Sequence, residues 1–152
     1  MKALIVYDSL YGNTEKVAKA IADAIGGEAK STGKVDPSEL KGFDLLIVGS
    51  PTHGGRPSPP MREFLNKIPA GSLKGLSVAA FDTRFSKEGH GVGLRILMSV
   101  LNFAAGRIAE ALKKKGGNQI VEPEGFIVEG KEGPLKNGEI ERATAWIKNS
   151  NF

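Results

Sequence analysis

Ala3-Leu-Ile-Val-Tyr7 runs directly into Asp8-Ser9-Leu10-Tyr11-Gly12-Asn13-Thr14-Glu15, and the reading of these two segments decides the fold. Five apolar or aromatic residues in succession, with no polar alternation, mark a strand buried on both faces, the habit of parallel sheets covered by helices on either side. Beyond Thr14, Val17, Ala18, Ile21, Ala22 and Ile25 recur at spacings of three and four. That is an amphipathic helix, and it stops at Gly26-Gly27.

The same alternation continues along the chain. Glu28–Ser31 is a weakly signalled second strand, Asp36-Pro37 begins a short helical turn, and Leu45–Val48 is a third strand buried on both sides. Pro59-Pro60 opens a helix through Lys67, since prolines are tolerated in a first turn. Leu76–Phe81 is the fourth strand, followed by a glycine-rich loop, Ser86–Gly93, and a long or broken helix from Leu94 to Lys115 with Gly106 as the point for a kink. The fifth strand is split between Ile120-Val121 and Phe126–Val128, because Pro123 cannot donate to a ladder. Gly138–Asn149 is the last helix, with Ile140, Ala143, Ala145, Trp146 and Ile147 on its apolar face. The expected architecture is α/β: a doubly wound five-stranded parallel sheet in order 2-1-3-4-5, three layers α/β/α, as a single domain over residues 1–152.

Composition narrows the chemistry. The 152 residues are 40% apolar and 25% charged, enough for one sizeable core. There is no cysteine, which excludes disulfides, thiolate metal sites and a cysteine nucleophile; redox chemistry has to come from a bound cofactor. The net charge of +4 rests on scattered lysines and arginines. The densest cluster, Lys113-Lys114-Lys115, ends a helix, where cations complement the dipole, and no aromatic side chains are interleaved with the charge. No nucleic-acid partner is expected. Without a leader-like opening or an apolar run near the length of a membrane span, the expectation is a cytoplasmic protein with no membrane insertion. Two histidines in separate loops make no metal site, and the G-x-S-x-G elbow of a hydrolase is absent.

In a doubly wound sheet, ligands bind outside the carboxyl ends of the strands where the strand order reverses. Here those are the loops after strands one and three, with strand four beside them. Ser9-Leu10-Tyr11-Gly12-Asn13-Thr14 offers successive amides at a helix start, with hydroxyls at Ser9 and Thr14, and can wrap a phosphate. A plain helix cap by Asn13 or Thr14 is the alternative. The loop is neither G-x-x-x-x-G-K-[ST] nor G-x-G-x-x-G, which disfavours tightly held ATP or NAD.

Asp8–Glu15 resembles the phosphate loop of the flavodoxin family, T/S-x-T/S-G-x-T after the first strand, and the resemblance extends over the length and element order of the whole chain. It implies FMN as cofactor, with Ser9, Leu10, Tyr11, Gly12, Asn13 and Thr14 at the phosphate. Tyr11 stands where the family usually has a small hydroxyl residue, which leaves that contact to backbone donors. Gly49–Pro57 is similar to the segment flanking the isoalloxazine ring, where flavodoxins often have Thr-Trp-Gly. Thr52-His53-Gly54 falls in register with it, between Pro51 and Gly55. Gly54 is then the peptide whose carbonyl turns with the redox state of the flavin, a motion glycine allows cheaply. His53 takes the place of the Trp, with an exposed loop histidine as the alternative. Phe81-Asp82-Thr83-Arg84-Phe85, read as a loop after strand four, aligns with the segment over the other flavin face. Asp82, Thr83 and Arg84 offer bonds to the ring edge, and Phe85 falls at a position where the family commonly has Tyr. For Phe85, flavin contact and core packing both stay open. His90, in the extension Gly89-His90-Gly91, has no assigned role.

The resemblance implies a non-enzymatic electron carrier working between redox partner proteins. An FMN-dependent NAD(P)H or quinone reductase shares fold and cofactor, and a flavin-free adaptor is a third class. A monomer is favoured, although the helix Leu94–Leu112 is apolar over much of its circumference and could bury one side in a partner subunit. The basic residues Arg56, Arg62, Arg84 and Lys87 are expected beside the site, where they would stabilise reduced, anionic flavin.

Overall fold

Strand pairing in the computed structural model, which describes residues 1–85 and 103–150, begins with β1 (Ala3–Tyr7) between β2 (Glu28–Ser31) and β3 (Leu45–His53), both parallel to it. A two-residue strand, β4 (Arg56–Pro57), folds back antiparallel on the end of β3. β5 (Ser77–Phe85) lies parallel on the other side of β3. Its far edge carries two short strands in succession, β6 (Asn118–Gln119) beside Ser77-Val78 and β7 (Glu124–Val128) beside Phe81–Phe85. These are the two halves of the fifth strand, interrupted at Pro123 as its missing N–H requires. The first half lies two residues earlier than the apolar pair Ile120-Val121 suggests, although the Ile120 N–H still reaches Val78 O at 3.1 Å. The order is β2-β1-β3-β5-β6/β7, which is 2-1-3-4-5 when the hairpin strand β4 is left out and β6 and β7 are counted as one.

Strand periodicity sorts side chains onto two faces. Leu4, Val6, Leu46, Val48, Val78 and Ala80 pack under α2 (Pro59–Lys67) and α3 (Ala104–Lys114), with Phe64, Ile108 and Leu112. Ala3, Ile5, Leu45, Ile47, Ala79 and Phe81 pack under α1 (Asn13–Ile25) and α4 (Glu139–Lys148), with Val17, Ile21 and Ile147. On that second face Phe81, Phe126 and Trp146 form an edge-to-face triad with centroids 5.9 to 6.3 Å apart, a geometry worth about 0.5–1.5 kcal/mol per pair beyond area burial. Gly26, with φ 69°, ends α1 by donating to Ala22 O. The Asp36 carboxylate accepts from Ser38 N at 2.9 Å to start the 3₁₀ turn Pro37–Gly42.

Three boundaries and one helix face differ from the sequence expectation. β3 runs to His53 rather than Val48, and β5 to Phe85 rather than Phe81, through the pairs Gly49↔Phe81, Ser50↔Asp82 and Pro51↔Thr83. Phe81–Phe85 is therefore strand, not loop. Pro51 is tolerated because β1 ends opposite Gly49, leaving one edge of β3 without a neighbour. Extended backbone at Phe103 (φ −122°, ψ 160°) makes Ala104 a helix start, so no single helix runs through from Leu94; Gly106 is a buried residue of α3. Ala145 is exposed, and the buried face of α4 is Ala143 and Ile147 with Ile140 and Trp146 half-buried. The Ser86–Gly93 loop, with Lys87 and His90, and the segment 94–102 lie outside the described residues. Among the described residues no helix is long and apolar enough to cross a membrane.

Candidate functional site

The carboxyl ends of β1, β3, β5 and β7 surround a cleft of about 200 Å³. One wall is Ser9, Leu10, Tyr11, Asn13 and Thr14; a second is Pro51, Thr52 and His53; a third is Thr83, Arg84 and Phe85. The sequence thus brings together segments more than seventy residues apart. Gly12, Gly54, Gly55 and Asp82 do not line the cleft, whereas Val128 and Lys131 do.

In the first wall, Gly12 takes the cap position of α1 with φ 90°, a conformation open to glycine at little cost. It has no side chain to cap with, and Asn13 and Thr14 already belong to the first helical turn, which removes them as caps. Ser9 does that work: its Oγ accepts from Gly12 N at 3.1 Å and Glu15 N at 3.3 Å. No hydrogen bond among the described residues takes up the amides of Tyr11, Asn13 and Thr14. A helix of thirteen residues therefore points unclaimed donors and the positive end of its dipole at the cleft.

Thr14 and Thr83 meet across the floor. The period of two along β5 turns Thr83 to the α1 face, where its Oγ1 lies 2.7 Å from that of Thr14, both residues being at most 5% exposed. Thr83→Val should cost about 1–3 kcal/mol, the penalty of leaving the Thr14 hydroxyl buried and unpaired. Thr14→Val/Thr83→Val should recover part of that loss. Urea unfolding of the three variants decides it, and a cost below about 0.5 kcal/mol for Thr83→Val, the range of surface substitutions, would show the pair to be wet.

In the second wall, β3 and β4 are joined by Gly54 (φ 56°) and Gly55 (φ 80°), the two positive φ values that a tight hairpin between right-twisted strands demands. Arg107 Nε donates to Gly55 O at 2.8 Å. His53 is exposed. The Thr52 hydroxyl accepts from Ala104 N at 3.1 Å.

In the third wall, Asp82 and Arg84, two apart on a strand, share the α3 face. Arg84 donates from Nε and Nη2 to the two carboxylate oxygens of Asp82, each at 2.7 Å. Asp82 is fully buried and Arg84 is 7% exposed. Ala105 N donates to Asp82 Oδ2 at 2.9 Å, and the guanidinium lies 3.9 Å from the Phe103 ring centroid. Burial pushes the Asp82 carboxyl up from its ordinary value, against the pull of the guanidinium, the Ala105 N–H and the Thr52 hydroxyl. Two expectations change. The Asp82 carboxylate serves Arg84 and the start of α3, so it offers no bond to a ring edge. The charge of Arg84 is balanced by Asp82, so Arg84 adds no net positive charge beside a reduced flavin. Arg56 and Arg62 are exposed and do not line the cleft. Phe85 is 55% exposed, which rules out core packing, and with Leu10 (61%) and Tyr11 (45%) it rims the cleft with apolar surface.

Residues 5–146 match the family described as Flavodoxin. The chain belongs to the flavodoxin family. Flavodoxins as a family transfer electrons on a bound flavin, typically FMN, and interact with redox partners. Among curated proteins, an uncharacterized protein of Methanocaldococcus jannaschii is 41% identical over 69 residues, 45% of this chain and 46% of that protein. The chain spans about half the length of that curated relative. Among solved structures, a flavodoxin from the domain Archaea superposes with a TM-score of 0.75 at 24% identity, over 96% of this chain and 93% of that one. Oxidised Flavodoxin 2 from Bacillus cereus gives 0.73 at 23% identity, over 95% and 94%. At such identities the likeness shows the fold. In this flavodoxin, Val128 and Lys131 are the cleft residues that sequence reading passed over. Their only signal was the end of the fifth strand followed by a glycine pair, Gly130 and Gly133. Among the described residues no group of three or more His, Asp and Glu side chains could hold a metal ion.

Proposed function

We propose that this flavodoxin binds one FMN in the cleft and carries electrons between redox partner proteins. The observation that carries the reading is the set of unclaimed amides of Tyr11, Asn13 and Thr14 at the start of α1, opening into a cleft whose rim is apolar. That donor set suits a phosphate dianion without requiring side-chain hydroxyls. It also speaks against a flavin-free adaptor, which would have no use for a row of amides left without acceptors on a cleft wall.

Ser9 and Gly12 shape the phosphate loop, Asn13 and Thr14 supply amides, and Leu10, Tyr11, Pro51, Thr52, His53, Thr83, Arg84 and Phe85 enclose the rest. Bound FMN supplies reversible one- and two-electron chemistry. The chain's own contribution is to hold it, to keep water from its phosphate end, and to leave an edge open where Phe85 and His53 are exposed. Gly54 and Gly55, both at positive φ, let the hairpin turn a carbonyl toward the ring without a Cβ clash.

Anaerobic dithionite titration of the FMN-loaded protein, with a parallel addition of NAD(P)H, tests the reading. One flavin per chain, reduced in two resolved one-electron stages and inert to NAD(P)H, is the expected result. Direct two-electron reduction by NAD(P)H would replace the carrier with a reductase. Failure to bind FMN would remove both.

A further inference from the structure

We infer that Lys131 is a phosphate-binding residue of this cleft and that its ammonium gives the protein a preference for phosphorylated over unphosphorylated flavin. The inference rests on the FMN reading above and adds a charge to a site otherwise built from backbone.

Lys131 comes to the cleft on a second hairpin. After β7 the chain turns back, with Val128 bridging Leu135, Lys136 N bonded to Ile127 O at 2.9 Å and Glu129 N to Pro134 O at 2.8 Å. Its tip is the turn Gly130-Lys131-Glu132-Gly133, closed by Gly133 N donating to Gly130 O at 3.1 Å. This tip is fastened to the start of α1: Asn13 Nδ2 donates to Glu132 O at 3.1 Å. The packing there is close enough that a Cβ on Gly133 (φ 105°) would come within 2.6 Å of the Asn13 amide. The residue next to Lys131 is thereby pinned to the helix turn that carries the unclaimed amides, and Lys131 itself lines the cleft with Ser9, Asn13 and Thr14.

Charge bookkeeping singles it out. Arg84, the other strong cation on the cleft wall, is spent on Asp82. Lys131 is exposed and takes part in no ion pair among the described residues. Glu15, the acidic residue of the first α1 turn, is occupied by Lys19 at 2.8 Å. An ammonium on a pinned tip, beside unclaimed amides and a helix dipole, recognises a dianion by charge-assisted hydrogen bonding.

The test compares dissociation constants for FMN and riboflavin, read by quenching of flavin fluorescence, in the wild type, Lys131→Met, Lys131→Arg and the same-loop control Lys136→Met. Lys131→Met should weaken FMN about tenfold, the loss of one charge-assisted bond, while leaving riboflavin unchanged. Raising salt should weaken FMN in the wild type and less so in Lys131→Met. Lys131→Arg and Lys136→Met should stay close to wild type. Unchanged FMN affinity in Lys131→Met, or an equal loss for FMN and riboflavin, overturns the inference while the FMN reading stands. A wild-type protein that binds neither flavin overturns both.

Discussion

Asp82→Ala is expected to lower folding free energy by about 3–5 kcal/mol, because it breaks the buried Asp82–Arg84 ion pair by removing one of its members. The geometry makes escape expensive. Arg84 is wedged between the Phe103 ring and Gly125, whose missing Cβ would sit 2.1 Å from the guanidinium, so the side chain cannot swing to water without opening the contact between β5, β7 and the start of α3. The same substitution removes the acceptor of Ala105 N, one of two amides that tie the first turn of α3 to strand side chains. Asp82→Leu/Arg84→Met, which removes both charges, should cost markedly less than Asp82→Ala, since breaking a buried pair is worse than deleting it. Urea midpoints for wild type and the two variants suffice, the slope serving as a check that the unfolding transition stays comparable. A cost near 1 kcal/mol for Asp82→Ala would mean that water reaches the pair. The consequence for function follows from position: Thr83 and Phe85 flank Arg84 on the cleft wall, and Thr52 shares in capping α3, so flavin affinity should fall with stability in Asp82→Ala.

What was legible in the sequence, and what was not, divides along a physical line. Ala3–Tyr7, the helix from Val17 to Ile25 and the split at Pro123 were readable because apolar burial or a missing N–H leaves a local mark. The carboxyl-terminal ends of β3 and β5 were not, because Ser50, Asp82, Thr83 and Arg84 are polar and yet buried. Ser50 is satisfied by Ser58 at the start of α2, and the other three by one another and by α1 and α3, partners that a strand-by-strand hydrophobicity reading cannot see. The resulting error was to read Phe81–Phe85 as a loop. Once those residues are strand, the period of two separates them: Thr83 turns to Thr14, and Asp82 and Arg84 turn to Phe103 and Ala105. The spacing of Asp82 and Arg84 was a usable signal, since two residues apart on a strand means the same face. Lys131 had no comparable mark. It reaches the cleft through a hairpin pinned by Asn13, a residue 118 positions earlier, and only tertiary structure could bring the two together.

The other large effect is expected at Gly49, where alanine should cost about 3 kcal/mol, the upper end of what overpacking usually costs. Gly49 pairs with Phe81 across β3 and β5, and both lie on the α1 face of the sheet. A Cβ on Gly49 would fall 2.0 Å from the Phe81 Cζ and 2.4 Å from both Cε atoms. The ring has nowhere to go, since it is fully buried and held edge-to-face by Phe126 and Trp146 at 6.0 and 6.3 Å. Relief must therefore come from moving β3 relative to β5, the two strands that carry the second and third walls of the cleft. The phosphate loop would feel the same shift, because Gly49 O accepts from Asp8 N at 3.1 Å, just before Ser9. Gly49→Ala should accordingly lose flavin affinity as well as stability. Gly49→Ala/Phe81→Leu, which trims the ring, should be more stable than the sum of the two single losses implies. Thermal or urea unfolding of the double-mutant cycle checks this directly. Strict additivity would mean that the strain is relieved elsewhere, and that the ring over Gly49 does not set the spacing of the two strands beneath the cleft.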